Sequence, residues 1–178
     1  MPLKKSVDII IPVYNEELDL PRNIPVLNNF LKENFKSYDW KILIVDNGPS
    51  KDKTQGVSEK LSSLYKNVEY VRIPRPGRGG ALKEVWLSSK ADFLSYMDVD
   101  LSSDLKYFPK LITALEKNAD ISIGSRLARG SKVYGRTIVR EIMSRGYNLL
   151  IKIFFWTGFD DAQCGFKAIT QEAAQKLL

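Results

Sequence analysis

The chain contains no histidine, and that absence removes several kinds of catalysis. Without an imidazole there is no Ser-His-Asp triad, no Cys-His pair and no histidine-ligated zinc. Cysteine is nearly missing too: the one copy, Cys164, cannot form a disulfide within the chain. It reads as a small buried residue, with nothing to make it a nucleophile. No basic-then-apolar leader precedes the strand-like VDIIIPVY run, so a reducing, cytoplasmic setting is the expectation. No apolar run approaches the roughly 20 residues a membrane span needs, and no low-complexity tract interrupts the sequence. Any chemistry therefore falls to carboxylates and cations.

What is present is an ordinary globular composition. The 178 residues are 44% hydrophobic and 27% charged, which suits one folding unit over 1–178 with a sizeable core. The formal charge is +6, and residues 126–152 carry seven basic side chains against one acid, Glu141, an excess equal to that of the whole chain. A basic segment of this kind suits phosphates, lipid head groups or nucleic acid as a partner; a solvated basic helix face is the plainer alternative.

Short β-branched runs alternate with longer amphipathic stretches. Strands are expected at 7–14, 40–46, 68–73, 91–100 and 120–126, and helices at 17–34, 53–65, 79–89 and 105–118. This alternation implies an α/β fold, a mostly parallel central sheet flanked by helices. Ligands of open sheets bind beyond the carboxyl ends of the strands. There the sequence is polar: the first strand ends in Pro12, Tyr14, Asn15 and Glu16, the second in Asp46 and Asn47, the fourth in Asp98 and Asp100, the fifth in Arg126. Residues 136–156 differ, with apolar residues at near-helical spacing (Ile138, Ile142; Val139, Met143, Leu150, Phe154) among basic ones. They read as an amphipathic helix or helix pair, which either lies on a bilayer surface or packs on the sheet.

Two constellations carry chemistry. Asp98 and Asp100 close an apolar strand, and residues two apart on a strand project to one side while the residue between them turns inward. Two converging carboxylates suit a hard divalent cation, Mg²⁺ or Mn²⁺, whose shell a nucleotide diphosphate would complete; acidic pairs also occur as plain turn and cap residues. Ser102 or Ser103 stands where the next helix needs a cap. In PRPGRGGALKEV, at 74–85, Gly77, Gly79 and Gly80 precede a helix start. A helix N-terminus there would offer free N–H groups to an anion, with Arg78 within reach of a diphosphate; a flexible turn is the alternative.

Together, VDIIIPVYNEE, KILIVDNGPSKDKT, RPGRGGALKEV, SYMDVDLSSD, ISIGSR and DAQCGFK resemble, in order and spacing, the successive blocks of family 2 glycosyltransferases. The resemblance spans nearly the whole chain. The last two blocks are similar to the branch containing dolichyl-phosphate mannose synthase and dolichyl-phosphate β-glucosyltransferase. It implies a GT-A fold and the inverting transfer of glucose or mannose from UDP-glucose or GDP-mannose to a polyprenyl (dolichyl) phosphate at a membrane surface, with Mg²⁺ or Mn²⁺.

The resemblance also implies roles for particular residues. Pro12, Tyr14, Glu16, Asp46, Arg78 and Asp98 would line the nucleotide pocket. Asp98 and Asp100, with Ser102 as a weaker third ligand, would hold the metal. Arg126, Arg140, Gln163 and Lys167 would bind the acceptor or diphosphate, and Asp161 would lie near sugar and acceptor as a catalytic residue. The chain departs from the pattern at Asn47, where a second Asp is usual, and at Arg78, where Lys is frequent. Family members generally continue beyond the point where QEAAQKLL ends, some into membrane-spanning helices.

A phosphate acceptor is already anionic, so its attack on the anomeric carbon needs positioning and charge stabilisation more than a base, which suits a chain without histidine. A family 2 enzyme acting on a saccharide or protein hydroxyl is the near alternative and would need a base. A non-catalytic nucleotide-binding module is the distant one. Nucleic acid is not expected as a partner, because no recognition motif is present and the acidic rim would repel phosphate in the absence of metal. Plainer roles also exist for single residues: a cap for Asp161, a surface ion pair for Arg126, a solvated helix position for Arg140, packing for Tyr14.

Overall fold

The structure is a computed structural model whose described residues are 4–126, 138–156, 161 and 164–178, with backbone alone at 138–142 and 155. Six strands form one sheet: β1 (Ser6–Val13), β2 (Asp39–Asp46), β3 (Val68–Arg72), β4 (Phe93–Met97), β5 (Ile121–Ile123) and β6 (Phe166–Thr170). Their order is β3-β2-β1-β4-β6-β5. The first four run parallel, whereas β6 is antiparallel to both β4 and β5. The helices are α1 (Leu20–Asn34), α2 (Thr54–Leu64), α3 (Arg78–Ser88), α4 (Phe108–Glu116), α5 (Ile138–Phe155) and α6 (Gln171–Leu177).

The central strands read as near-continuous apolar runs because both of their faces are covered. Val7, Ile9, Ile11 and Val13 of β1, with Ile42 and Ile44 of β2, pack against Leu20, Ile24, Leu27 and Leu31 of α1 and Phe108, Leu111, Ile112 and Leu115 of α4. The opposite face takes Ile10, Leu43 and Val45, covered by Ala81 and Val85 of α3. Leu94 and Ile169 meet Ala173 and Ala174 of α6 in a third cluster. Helix α1 starts at a proline-bearing first turn and buries one apolar stripe. Each of its fully buried Leu and Ile side chains contributes about 1.5–3 kcal/mol.

The chain leaves β1 toward β2 on the α1 face and returns from β3 to β4 through α3 on the other. The connections therefore diverge between β1 and β4, and such a switch point opens a crevice at the carboxyl ends of the strands.

Several sequence expectations are corrected. The strand expected at 120–126 is only Ile121–Ile123, and β6, not anticipated, separates it from β4. An edge strand is as long as its partner allows, and β5 pairs with β6 at three positions only. The helix expected at 105–118 is a 3₁₀ turn, Leu105–Tyr107, followed by α4. Neither Ser102 nor Ser103 caps it: Asp104 does, its carboxylate accepting from the Lys106 N–H. Residues 138–155 form one helix.

Candidate active site

The β1 and β2 ends are tied together by the loops that follow them. Asn15 adopts a left-handed backbone (φ 56). Its N–H donates to Ser50 Oγ at 3.2 Å, and its side-chain oxygen accepts from the Lys51 N–H at 2.7 Å. The Glu16 N–H donates to Thr54 Oγ1 at 2.7 Å, and the Glu17 carboxylate accepts from the Lys53 N–H at 2.8 Å. Inside this lacing lies Asp46, which is buried. Ser50 Oγ donates to its Oδ1 at 2.8 Å and Tyr70 Oη to its Oδ2 at 3.3 Å. Burial and the Asp46 charge push the Tyr70 phenol up to about 12, so it stays a donor. Pro12 is buried and Tyr14 exposed at the rim. Gly48 holds a φ of +143, a backbone that favours glycine, and packs beside Pro76.

At the β4 end the two carboxylates project outward around buried Val99, with Asp98 half-exposed and Asp100 exposed. The Ser102 N–H donates to Asp100 Oδ1 at 3.0 Å, turning the chain through Leu101 (φ 49). Asp98 Oδ1 receives the Tyr96 hydroxyl at 2.7 Å and Arg78 Nη1 at 3.2 Å. Arg78 opens α3 directly after Gly77, whose φ of +125 favours glycine. Glu16 titrates above its ordinary range, through burial and then the charges of Asp19 and Asp100, which sets the β1 and β4 rims side by side.

The distant blocks fold onto this rim. Asp161 is buried, and Arg126 clasps it with Nε at 2.8 Å, Nη2 at 2.9 Å and its own N–H at 3.1 Å. This bidentate pairing engages both Asp161 oxygens, and the hydrogen bond to Asp161 raises the Arg126 guanidinium above its ordinary value. Gly124 donates its N–H to the Phe166 carbonyl at 2.8 Å. A Cβ on Gly165 would overlap the Asp98 carboxylate, so only glycine fits beneath it. Lys167 sits opposite Tyr96 in the sheet and titrates low, through burial first, with Arg78 and Arg126 nearby acting the same way. Cys164 is buried and its thiol is pushed up by that burial. The Arg140 side chain and Gln163 lie outside the described residues.

The structure thus gathers Asp46, Glu16, Asp98, Asp100, Arg78, Arg126, Asp161 and Lys167 along one edge. Two participants escaped the sequence reading. Tyr96 lies two residues before Asp98 on the same face, a spacing that could have revealed it. Tyr70 reaches Asp46 from a neighbouring strand, and only the strand register exposes that.

Among the described residues no group of three or more His, Cys, Asp or Glu side chains is arranged for a metal. Asp98 and Asp100 remain as a pair of hard oxygen donors at an open rim, and a cationic guanidinium already sits on one of them. Two carboxylates plus substrate phosphates and water is the shell Mg²⁺ commonly takes, so the residues fit such an ion.

An acid pair and cations at the switch point of a mostly parallel sheet are the arrangement of a GT-A nucleotide-sugar transferase fold. The family model "Glycosyl transferase family 2" matches residues 8–178, and the chain belongs to that family. It is 34% identical over 185 residues to a dolichyl-phosphate beta-glucosyltransferase of Trichomonas vaginalis, covering 99% of this chain and 56% of that protein. A dolichyl-phosphate beta-glucosyltransferase of Dictyostelium discoideum is 31% identical over 188 residues, covering 96% and 56%. The chain therefore spans about half the length of the curated relatives it matches. The fold is shared with mannosyl-3-phosphoglycerate synthase from Rubrobacter xylanophilus at a TM-score of 0.70 and 17% identity, over 94% of this chain and 54% of that one.

Proposed function

We propose that the protein moves a hexose, glucose or mannose, from a UDP- or GDP-linked donor to a polyprenyl phosphate, with inversion at the anomeric carbon. One observation carries this reading: carboxylates (Asp98, Asp100) and cations (Arg78, Arg126, Lys167) share one rim, beside a buried carboxylate, Asp46, held by Ser50 and Tyr70. The names of the relatives from Trichomonas vaginalis and Dictyostelium discoideum support the acceptor class.

In this reading Asp46 accepts an N–H of the base, with Pro12, Tyr14 and Glu16 lining the pocket. Asp98, Asp100 and, more weakly, Ser102 hold Mg²⁺ or Mn²⁺, which supplies Lewis-acid stabilisation of the leaving diphosphate. Arg126, with Arg140, Gln163 and Lys167, receives the acceptor phosphate, and Asp161 fixes the guanidinium of Arg126 in a planar fork suited to phosphate. Asp161 is a positioning residue here, since both its oxygens are engaged by Arg126. A phosphate oxygen attacks opposite the departing diphosphate without a general base.

Peripheral membrane association follows from the acceptor and from α5. Among the described residues no helix is long and apolar enough to cross a membrane. On α5 the burial pattern is inverted: Ser144 and Asn148 are buried, while Met143, Leu149, Leu150, Ile153, Phe154 and, just beyond, Trp156 are exposed. Basic residues accompany this apolar surface, Arg145 and Lys152 on the helix itself. That combination suits a cytosol-facing bilayer surface, and the free thiol of Cys164 suits that side.

The test is direct. The protein is incubated with radiolabelled UDP-glucose or GDP-mannose, Mg²⁺ and polyprenyl phosphate; label is expected in the organic phase. Label found only on water-soluble acceptors overturns the lipid reading.

A further inference from the structure

The Asp98 carboxylate is gripped in two ways. Its orientation is fixed from within: the Tyr96 hydroxyl, on a buried residue of the same strand, donates to Oδ1 at 2.7 Å, and the α-carbon of Gly165 lies against the other side. Its charge is balanced from without, by Arg78, which donates to the same Oδ1 at 3.2 Å. The two partners differ in how freely they leave. Tyr96 belongs to the core of the sheet, whereas the Arg78 side chain is 60% exposed. Gly79 and Gly80 follow it and carry no side chain to crowd the guanidinium.

We propose that Arg78 is an exchangeable counter-cation for Asp98, neutralising it in the ligand-free protein and moving to the donor's diphosphate when nucleotide and metal arrive. The proposal rests on the donor-site reading above. A guanidinium and a divalent ion at one carboxylate oxygen repel each other, so metal alone must displace Arg78 at a cost. A nucleotide diphosphate offers the guanidinium a bidentate anion in exchange, beside the open N–H groups at the start of α3. The outcome is ordered loading: the metal is held weakly until the nucleotide is present. Arg78 also stacks loosely over the Tyr96 ring, 5.9 Å from its centroid, so the fixed and the mobile partner stay in contact before exchange.

The experiment is a Mn²⁺ titration read by the electron paramagnetic resonance signal of the free ion, with and without UDP or GDP. It compares the unaltered protein with Arg78→Gln, Arg78→Lys and Asp98→Asn, each checked for its melting curve. Arg78→Gln is expected to bind Mn²⁺ alone about fivefold more tightly than the parent, and to lose most of the gain that nucleotide confers. Arg78→Lys, which keeps the charge, is expected to stay weak for Mn²⁺ alone. Equal Mn²⁺ affinity in Arg78→Gln and the parent overturns the proposal while leaving the donor site standing, as does Arg78→Lys behaving like Arg78→Gln. If nucleotide promotes Mn²⁺ binding no better in the parent than in Asp98→Asn, the donor-site reading falls and this inference with it.

Discussion

The strand-end rim and helix α5 obey opposite burial rules. At the end of β4 and in the turn that follows it the apolar Met97 and Val99 are buried while Asp98 is half-exposed and Asp100 exposed; along α5 the polar Ser144 and Asn148 are buried while Leu150, Ile153 and Phe154 are exposed. The rim follows the ordinary logic of a water-facing site, in which carboxylates stay solvated until a cation or a donor group reaches them. Helix α5 violates it, and an exposed apolar face next to basic residues has a physical reason only if something other than water covers it. The contrast teaches that the carboxylate rim is a product of the sheet, while the exposed apolar face of α5 is the feature on which the proposed lipid contact rests.

The sharpest way to break the rim is Gly165→Ala. The added Cβ must push the Asp98 carboxylate aside, and a displacement of about 1 Å in a catalytic group costs on the order of 100-fold in rate. Transfer should therefore fall by about 100-fold, with a melting curve that stays cooperative. Full activity in Gly165→Ala would mean that the Asp98 position is irrelevant to turnover.

Next in size is Asp161→Asn, which leaves the Arg126 charge without its anion. Because Arg126 keeps partial contact with water, we expect a loss of about 2 kcal/mol, a roughly 30-fold change in the folding constant. A fall in Tm of about 6 °C should accompany it, measured by calorimetry. An unchanged Tm would mean that the pair contributes nothing to folding stability.

On the α5 side, replacing Leu150 and Phe154 by Asp should leave Tm within about 1 °C, since neither side chain reaches the core. Sedimentation with anionic vesicles should drop at least about tenfold, because each large apolar side chain is worth about 1.5–3 kcal/mol on burial. A melting loss without a vesicle effect would assign α5 to the core instead.

The smallest effect belongs to Tyr70→Phe. Asp46 retains Ser50, so nucleotide affinity by calorimetry should weaken only about threefold. No change would remove Tyr70 from the base-reading group.

Much of the rim was legible in the sequence because local rules govern it. The β-branched runs with their polar ends marked where the strands stop, but the strand expected at 91–100 ends at Met97, so Asp98 and Asp100 flank buried Val99 in the turn beyond it and not on the strand. Strand β6 was not legible: FKAIT is five residues long, and its antiparallel place between β4 and β5 is decided by pairing across the chain, which period-two patterning does not encode. The Arg126 to Asp161 clasp joins residues 35 apart, and the fit of Gly165 under Asp98 joins two blocks that sequence reading treats separately. Residues 136–156 read as an amphipathic helix or helix pair and residues 138–155 form one helix, but which of its faces is buried depends on neighbours that no helical period reveals.

The central claim is that Asp98 and Asp100 meet the donor's diphosphate through a divalent ion at the end of β4. Crystals grown with UDP or GDP and Mn²⁺, measured at the manganese absorption edge, test it. An anomalous peak within about 2.5 Å of both carboxylates is the predicted result; nucleotide bound with the manganese elsewhere, or no nucleotide at this rim at all, would contradict the account.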